Sequence, residues 1–393
     1  MTSNFKVKYD LIVIGGGPAG SIAAYTAAKL GLTTLMLEKD RDFGIPVRCG
    51  EGVGMKGLRE FIEPDPKWLD NKLDRVRFHA PDGTLVPVNL IEKGAILNRK
   101  VFDFELAKRA AIAGAKVQNR CCATGMERVN GALTVKFEHF AKEYRVSAPL
   151  VIGADGVESR VGRWAGLNTN LALVDIQTCF QYTLQHPNID AEFCDFYFGN
   201  EVAPGGYLWI FPKGPQYANV GLGISGDRAK NRSPKEYLDS FIYEHFNRAS
   251  YLCSIAGSVP SGKALKKIVA DGVMLAGDAA HQSDPITGGG IVSAMWGGRL
   301  AAQTAVKALE KGDFTERQLN EYTKSWHKII GEEHNRHYRL KKGVHKLNDD
   351  IFNRTARILL DLPFEQRTLR KIFQTALINE PGLVVDIVKA FLQ

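Results

Sequence analysis

The hexapeptide Gly15-Gly16-Gly17-Pro18-Ala19-Gly20 limits what this chain can fold into more than any other stretch. It follows a short β-branched run, Tyr9 to Ile14, and opens an Ala-rich segment, Pro18 to Leu30, that reads as a helix; Thr33 to Leu37 then returns as a second strand. Strand, glycine turn, helix and strand make a βαβ unit and imply a parallel sheet. Gly15 permits the tight turn, Gly17 lets a diphosphate approach the backbone at the helix N-terminus, and Gly20 allows the helix to pack closely on the strand. Glu38 ends the second strand, 18 residues after Gly20, where its carboxylate would accept hydrogen bonds from ribose hydroxyls. The uncharged run Leu11 to Ala28 has the length of a membrane span or a signal peptide. Four glycines break it after a strand-length segment, however, so it reads as a buried strand-turn-helix.

With 393 residues, 45% hydrophobic and 24% charged, the chain has room for two or three ordinary domains, which excludes collagen, low-complexity disorder and a disulfide-stapled miniprotein. A formal net charge of +8 favours anionic partners without choosing among phosphates, nucleic acid and acidic lipid. Cys49, Cys121, Cys122, Cys179, Cys194 and Cys253 form no CxxC pair and no zinc-ligand spacing, so no metal is expected and a reducing cytoplasm fits best. Lys72 to Leu90 and Leu133 to Val146 alternate like hairpins, Arg99 to Ala113 reads as an amphipathic helix, and Leu150 to Gly153 as a buried strand. A strand at Val273 to Ala276 and a helix from about Gly290 to Glu310 follow a region of strand-like segments. The expected fold is α/β. A Rossmann-like domain with a parallel sheet has its first part, with inserted hairpins, at 1–167 and its last part at 271–312. It is interleaved with a mostly antiparallel β-sheet substrate domain at 168–270, and a helical C-terminal region follows at 313–393.

Two further strand ends carry turn chemistry. Val151-Ile152-Gly153-Ala154-Asp155-Gly156 aims backbone N–H groups and an acidic side chain at the mouth of the sheet, although alone it is any strand-to-helix turn. Val273-Met274-Leu275-Ala276-Gly277-Asp278 is followed by Asp284-Pro285-Ile286-Thr287-Gly288-Gly289-Gly290-Ile291. Asp278 is placed to hold a polyol such as a ribityl chain. The N–H groups of Gly288 to Gly290 would face an anion at the head of a long helix, whose macrodipole would stabilise a reduced, anionic flavin ring.

In this order the three motifs resemble those of the flavoprotein superfamily of p-hydroxybenzoate hydroxylase type, over most of residues 9 to about 312. The resemblance implies FAD, held by Gly15, Gly17, Pro18, Ala19, Gly20, Glu38, Arg48, Cys49, Arg99, Asp155, Gly156, Gly277, Asp278, Pro285, Gly288, Gly289, Gly290 and Ile291. Arg99, in Leu97-Asn98-Arg99, matches the arginine that this superfamily places over the FAD at the head of a helix. Pro46-Val47-Arg48-Cys49-Gly50-Glu51-Gly52 and Pro204-Gly205-Gly206-Tyr207-Leu208-Trp209-Ile210-Phe211-Pro212 are similar to the geranylgeranyl reductase branch, with its Arg-Cys-Gly-Glu loop and Tyr-x-Trp-x-Phe-Pro strand. Tyr207, Trp209 and Phe211 alternate along a strand and share a face, either as the wall of a prenyl site or as core. Cys49 is either a redox or proton-donating group near the flavin or a small filler, and Glu51 is an acid candidate by location. His281 is expected to be a structural donor, and Cys121 and Cys122 to be packing.

The branch implies saturation of isolated alkenes in a geranylgeranyl or prenyl chain, carried by a diphosphate, a lipid, a quinone or a chlorophyll precursor. Reduced flavin N5 gives the hydride, and a proton completes the neighbouring carbon. No carbonyl polarises such a double bond, so catalysis rests on positioning in a dry apolar slot. Electrons would come from NAD(P)H or from ferredoxin, which makes an electron-donor protein an expected partner beside the isoprenoid substrate; nucleic acid is not expected. The alternatives are a monooxygenase or halogenase of the same superfamily, whose halogenases carry Trp-x-Trp-x-Ile-Pro at that strand, and a non-redox flavoprotein, cyclase-like or a binding module. The expected location is cytoplasmic. Peripheral membrane contact is left open, because the apolar segment Leu377 to Gln393 would rest on lipid, cover a substrate tunnel or pack as a terminal helix.

Overall fold

Short β-branched and Leu-rich runs bounded by glycine are what a strand buried on both faces requires, and the first half of the fold is built on them. The computed structural model describes residues 5–368 together with Lys371 and Thr375, so the apolar segment Leu377 to Gln393 lies outside the described residues. The chain divides into two units. The first takes the residues up to Val47, Arg99–Asn170 and Lys263–Asn335; the second takes Arg48–Asn98, Leu171–Gly262 and the chain from Arg336 onward.

In the first unit a six-stranded sheet runs in the order Val269–Ala270, Val273–Leu275, Leu150–Gly153, Leu11–Ile14, Thr34–Leu37, Lys116–Gln118. All its pairings are parallel except that of Val269–Ala270 with Val273–Leu275. The helices Pro18–Lys29 and Ile291–Lys311 approach so closely that a Cβ on Gly298 would lie 2.0 Å from the Ala19 carbonyl oxygen. A three-stranded antiparallel meander, Cys121–Val129, Ala132–His139 and Lys142–Ala148, belongs to the same unit. Cys121 is buried in it with its Sγ 3.4 Å from His139 Nδ1, and burial pushes the thiol up to about 12.

The second unit is an eight-stranded sheet in the order Ser250–Pro260, Ile176–Gln185, Tyr217–Ser225, Tyr207–Gly214, Cys194–Tyr197, Leu69–His79, Leu85–Leu97, Gly52–Gly54. Only the pairing of Cys194–Tyr197 with Leu69–His79 is parallel. Arg48–Asn98, expected within the first part of the dinucleotide domain, therefore clusters with this second unit. Alternation marks a hairpin but not the sheet it joins. Here the choice is fixed by Arg77, which grips Asp195 at 2.6 and 2.8 Å, and by His79, whose Nε2 lies 2.7 Å from the same carboxylate. One face of the sheet buries Leu208, Ile210, Val220, Leu222 and Ile224 against Leu238, Phe241 and Ile242 of the helix Pro234–His245. A capping box between Ser233 and Glu236 starts that helix. Towards the C-terminus the chain is helical at Glu316–Trp326, Glu332–Val344 and Asp349–Leu360. No helix among the described residues is long and apolar enough to cross a membrane.

Candidate functional site

In the first unit the turn chemistry collects along one edge. The strands Val273–Leu275, Leu150–Gly153, Leu11–Ile14 and Thr34–Leu37 are neighbours, run the same way and end in register. Each turn is pinned to the next strand: Gly15 N donates to Leu37 O (2.8 Å), Ala154 N to Ile14 O (2.8 Å) and Ala276 N to Gly153 O (2.9 Å). Gly15 turns at φ +104°, and a Cβ there would lie 2.2 Å from the Ala154 carbonyl oxygen; one on Gly20 would lie 1.9 Å from Gly15 O. Gly17, by contrast, has nothing within 4 Å of where its Cβ would stand, and it caps the helix Pro18–Lys29 without a side chain. That open cradle at a helix N-terminus suits a diphosphate.

The acidic groups fit the rest of a flavin dinucleotide. Glu38 accepts from Gly16 N at 2.6 Å and Asp40 N at 2.8 Å; burial raises it above the usual carboxylate range although those two bonds pull it down. Each oxygen keeps acceptor capacity for a ribose hydroxyl. Asp155 Oδ2 accepts from Val161 N at 2.9 Å, while the buried Oδ1 has no hydrogen-bond partner among the described residues. Burial pushes Asp278 up to about 6, with the Arg99 guanidinium pulling the other way. Arg99 heads the helix Arg99–Ile112 and is held by Asp103 through two 2.6 Å bonds. The Gly277-Asp278 turn is braced from behind: Gly277 N donates to Gln282 Oε1 (2.7 Å), Gln282 Nε2 to Tyr322 Oη (2.9 Å), Tyr322 Oη to Leu275 O (2.8 Å), and Ser159 Oγ to Ala279 O (2.8 Å). His281, buried beside Gln282 and Ser283, has φ +55°.

The triple glycine departs from expectation. Gly288 N donates to Asp284 O at 2.9 Å and Gly289 N to Thr287 Oγ1 at 3.1 Å, closing the loop that contains Pro285 on itself. Two of the three N–H groups expected to face an anion are thus spent internally. The anion-facing end falls to the first turn of Ile291–Lys311, which Gly290 caps without a side chain.

Arg48, Cys49, Glu51 and the three aromatics all lie in the second unit. Tyr207, Trp209 and Phe211 share one face of their strand, with ring centroids 5.8 and 6.1 Å apart, and Phe196 packs edge-on to Phe211 at 5.4 Å. Opposite Trp209 stands Gly221, where a Cβ would lie 2.6 Å from the indole; Gly223 faces Tyr207. Trp209 is 9% exposed, and its Nε1 donates to Gln181 Oε1 at 2.9 Å. Gln181 Nε2 in turn donates to the Cys49 carbonyl at 3.2 Å. Cys49 Sγ accepts from Glu51 N at 3.2 Å.

Glu51 is not presented as a free acid. It is 4% exposed at φ +74°, and its Oε2 accepts from Lys213 Nζ and, at 2.6 Å, from Asn219 Nδ2. Two buried donors thus engage the carboxylate, and its contacts tie the loop to the strands beneath. Gln181, Lys213, Asn219 and Asp70 were not marked by the sequence. Each sits in an ordinary alternating strand or loop, far along the chain from the residue it holds.

Residues 10–44 match the family model for FAD dependent oxidoreductase, and residues 175–259 that for the geranylgeranyl reductase catalytic domain. The digeranylgeranylglycerophospholipid reductase of Methanocella arvoryzae is 43% identical over 388 residues, covering 98% of this chain and 99% of its own. Digeranylgeranylglycerophospholipid reductase 2 of Methanococcoides burtonii is 44% identical over 387 residues, 97% and 95% of the two chains. The crystal structure of a geranylgeranyl bacteriochlorophyll reductase-like protein from Thermoplasma acidophilum aligns with a TM-score of 0.91 at 37% identity, over 98% of this chain and 99% of its own. The flavin-dependent brominase Bmp2 shares the fold alone, with a TM-score of 0.72 at 16% identity over 98% of each chain. An FAD cradle on one unit, an Arg-Cys-Gly-Glu loop and an aromatic strand on the other, and relatives above 40% identity along nearly the whole length place the chain in the geranylgeranyl reductase family of FAD-dependent oxidoreductases.

Proposed function

We propose that this chain saturates C=C double bonds in the geranylgeranyl chains of a digeranylgeranylglycerophospholipid. The observation that carries this reading is the likeness, along nearly the full length, to reductases named for that lipid. Bound FAD, re-reduced by NAD(P)H or ferredoxin, supplies the electron pair for each double bond. The open backbone at Gly17 and the first turn of Pro18–Lys29 hold its diphosphate, Glu38 the ribose, and Asp155 and Asp278 the remaining hydroxyls. Tyr207, Trp209 and Phe211 form an aromatic wall, its indole seated on Gly221, along which an isoprenoid lies extended; the rings exclude water from the alkene. Each reduction also consumes one proton. We assign its delivery to the Cys49 thiol, which regains it from solvent. The excess of Lys and Arg favours approach to an anionic lipid surface.

The test is product mass after anaerobic reduction with dithionite, offering geranylgeranyl diphosphate and digeranylgeranylglycerophospholipid separately. Products heavier by two hydrogens per step are expected, from the lipid above all. Trp209→Ala should lose most of that turnover while keeping its FAD. Reoxidation only on admission of oxygen, with no saturated product, would overturn the reading in favour of a monooxygenase.

A further inference from the structure

Beneath the Cys49 loop lies a buried group of charges to which no role in binding substrate or FAD has been assigned. Lys213 Nζ donates to Glu51 Oε2 and, at 3.1 Å, to Leu97 O, and it lies 2.9 Å from Asp70 Oδ2. Burial alone would depress this lysine, but the two carboxylates outweigh it and hold it above its ordinary value, so the ammonium stays charged. The loop above is fastened at three successive carbonyls. Cys49 O accepts from Gln181 at 3.2 Å, Gly50 O from Asn219 Nδ2 at 3.3 Å, and Glu51 O from Leu97 N at 2.9 Å. Gly50 and Gly52 lie on the Phe211 ring, where a Cβ on either would come within 3.1 and 3.2 Å.

The consequence falls on the sulfur. Glu51 N reaches Cys49 Sγ from the peptide that joins it to Gly50, and Glu51 itself holds φ +74°, a conformation that L-residues with long side chains rarely keep unless something fixes them. What fixes it is the side chain's grip on Lys213 and Asn219.

We infer that Lys213 is a positioning residue: acting through Glu51, it holds the backbone N–H of Glu51 against the Cys49 sulfur and so makes the thiol a better proton donor. An N–H bond to sulfur favours the thiolate, and a thiol that ionises more readily gives up its proton more readily. The role in turnover rests on the proposed function; the effect on the thiol does not. Among the described residues the charged or titratable groups of the loop are Arg48 and Glu51, and those that face Glu51 from the strands beneath are Lys213, Asp70 and Tyr217.

The experiment follows alkylation of Cys49 by iodoacetamide across pH in the FAD-loaded protein, located by peptide mass mapping, beside FAD content and anaerobic turnover. It compares wild type with Lys213→Met and with Glu51→Leu/Lys213→Met. The double variant removes the Glu51–Lys213 pair, leaves the net charge of the group unchanged and leaves Asp70 with Asn98 Nδ2 at 3.4 Å; apolar side chains of similar volume replace a buried ion pair at little cost. In both variants the midpoint of alkylation should move up by about one pH unit. kcat should fall about tenfold or more with KM and FAD content little changed. If Lys213→Met does not fold, the double variant decides. A folded double variant with the wild-type alkylation profile overturns the inference, as does a shift confined to the single variant, which would be a charge effect and not an anchor. If wild type reduces no prenyl lipid yet the midpoint shifts, the proposed function fails and the anchor stands.

Discussion

The role proposed for Asp278 ties cofactor binding to pH. Its carboxyl, ordinarily near 3.8, is pushed up to about 6 by burial, so the folded protein holds that proton more tightly than the unfolded chain does. The group's contribution to stability is therefore fully present below about 4 and lost as pH rises through about 6, leaving a buried anion at neutral pH. Hydroxyl groups donating to that anion stabilise the ionised form and release the proton. FAD should thus bind more tightly as pH rises from 5 to 7, measured by quenching of flavin fluorescence on titration of apoprotein. Asp278→Asn should bind weakly with little pH dependence across that range. An unchanged slope in Asp278→Asn would assign the titration to Glu38 or Asp155, which burial also raises.

Among the elements, the glycine loop and the two helices behind it separate binding from packing. Gly17→Ala adds a methyl group where nothing lies within 4 Å and where φ is an ordinary −69°, so the melting temperature of apoprotein should not move while bound FAD falls steeply. Gly298→Ala drives a Cβ towards the Ala19 carbonyl, 2.0 Å away, and should lower both together, by about 1–3 kcal/mol of stability for an overpacked contact. Thermal melts and flavin absorbance on the purified variants distinguish the two. The loop was legible in the sequence because strand period, glycine spacing and helix composition are all local, and the same holds for the turns at Asp155 and Asp278. The internal closure of the triple glycine was not, because Thr287 and Asp284 compete for N–H groups in a way that only loop geometry decides. Glu51 was legible as a position but its partner was not, since Lys213 lies 162 residues further along a strand whose only visible signal was its aromatics.

On the scale of the whole molecule, each unit is assembled from three stretches of chain, so no contiguous segment holds a complete sheet with its cover. The match to the geranylgeranyl reductase catalytic domain, 175–259, spans only the middle stretch of the second unit. Expressed alone, residues 171–262 keep Lys213 and Asp195 but lose Glu51, Asp70, Arg77 and His79, and they expose the strand Cys194–Tyr197 as a bare edge. That fragment should be aggregated or lack a cooperative melt by circular dichroism, whereas a single chain joining 48–98 to 171–262 through a flexible linker should recover one. A cooperative melt in the short fragment would show that the outer strands are dispensable.

The one parallel pairing in that sheet also bears on heredity. Leu69–His79 and Cys194–Tyr197 are encoded more than a hundred codons apart, yet Arg77 and His79 share a single buried carboxylate, Asp195. A recombination crossover anywhere between those codons joins strands from different parents. A lineage that altered Asp195 would leave Arg77 with only Asp190, 3.2 Å away at the surface, and would take from His79 the carboxylate it bonds. Chimeras between relatives should therefore keep their stability only where both parents agree on all three residues or exchange them together.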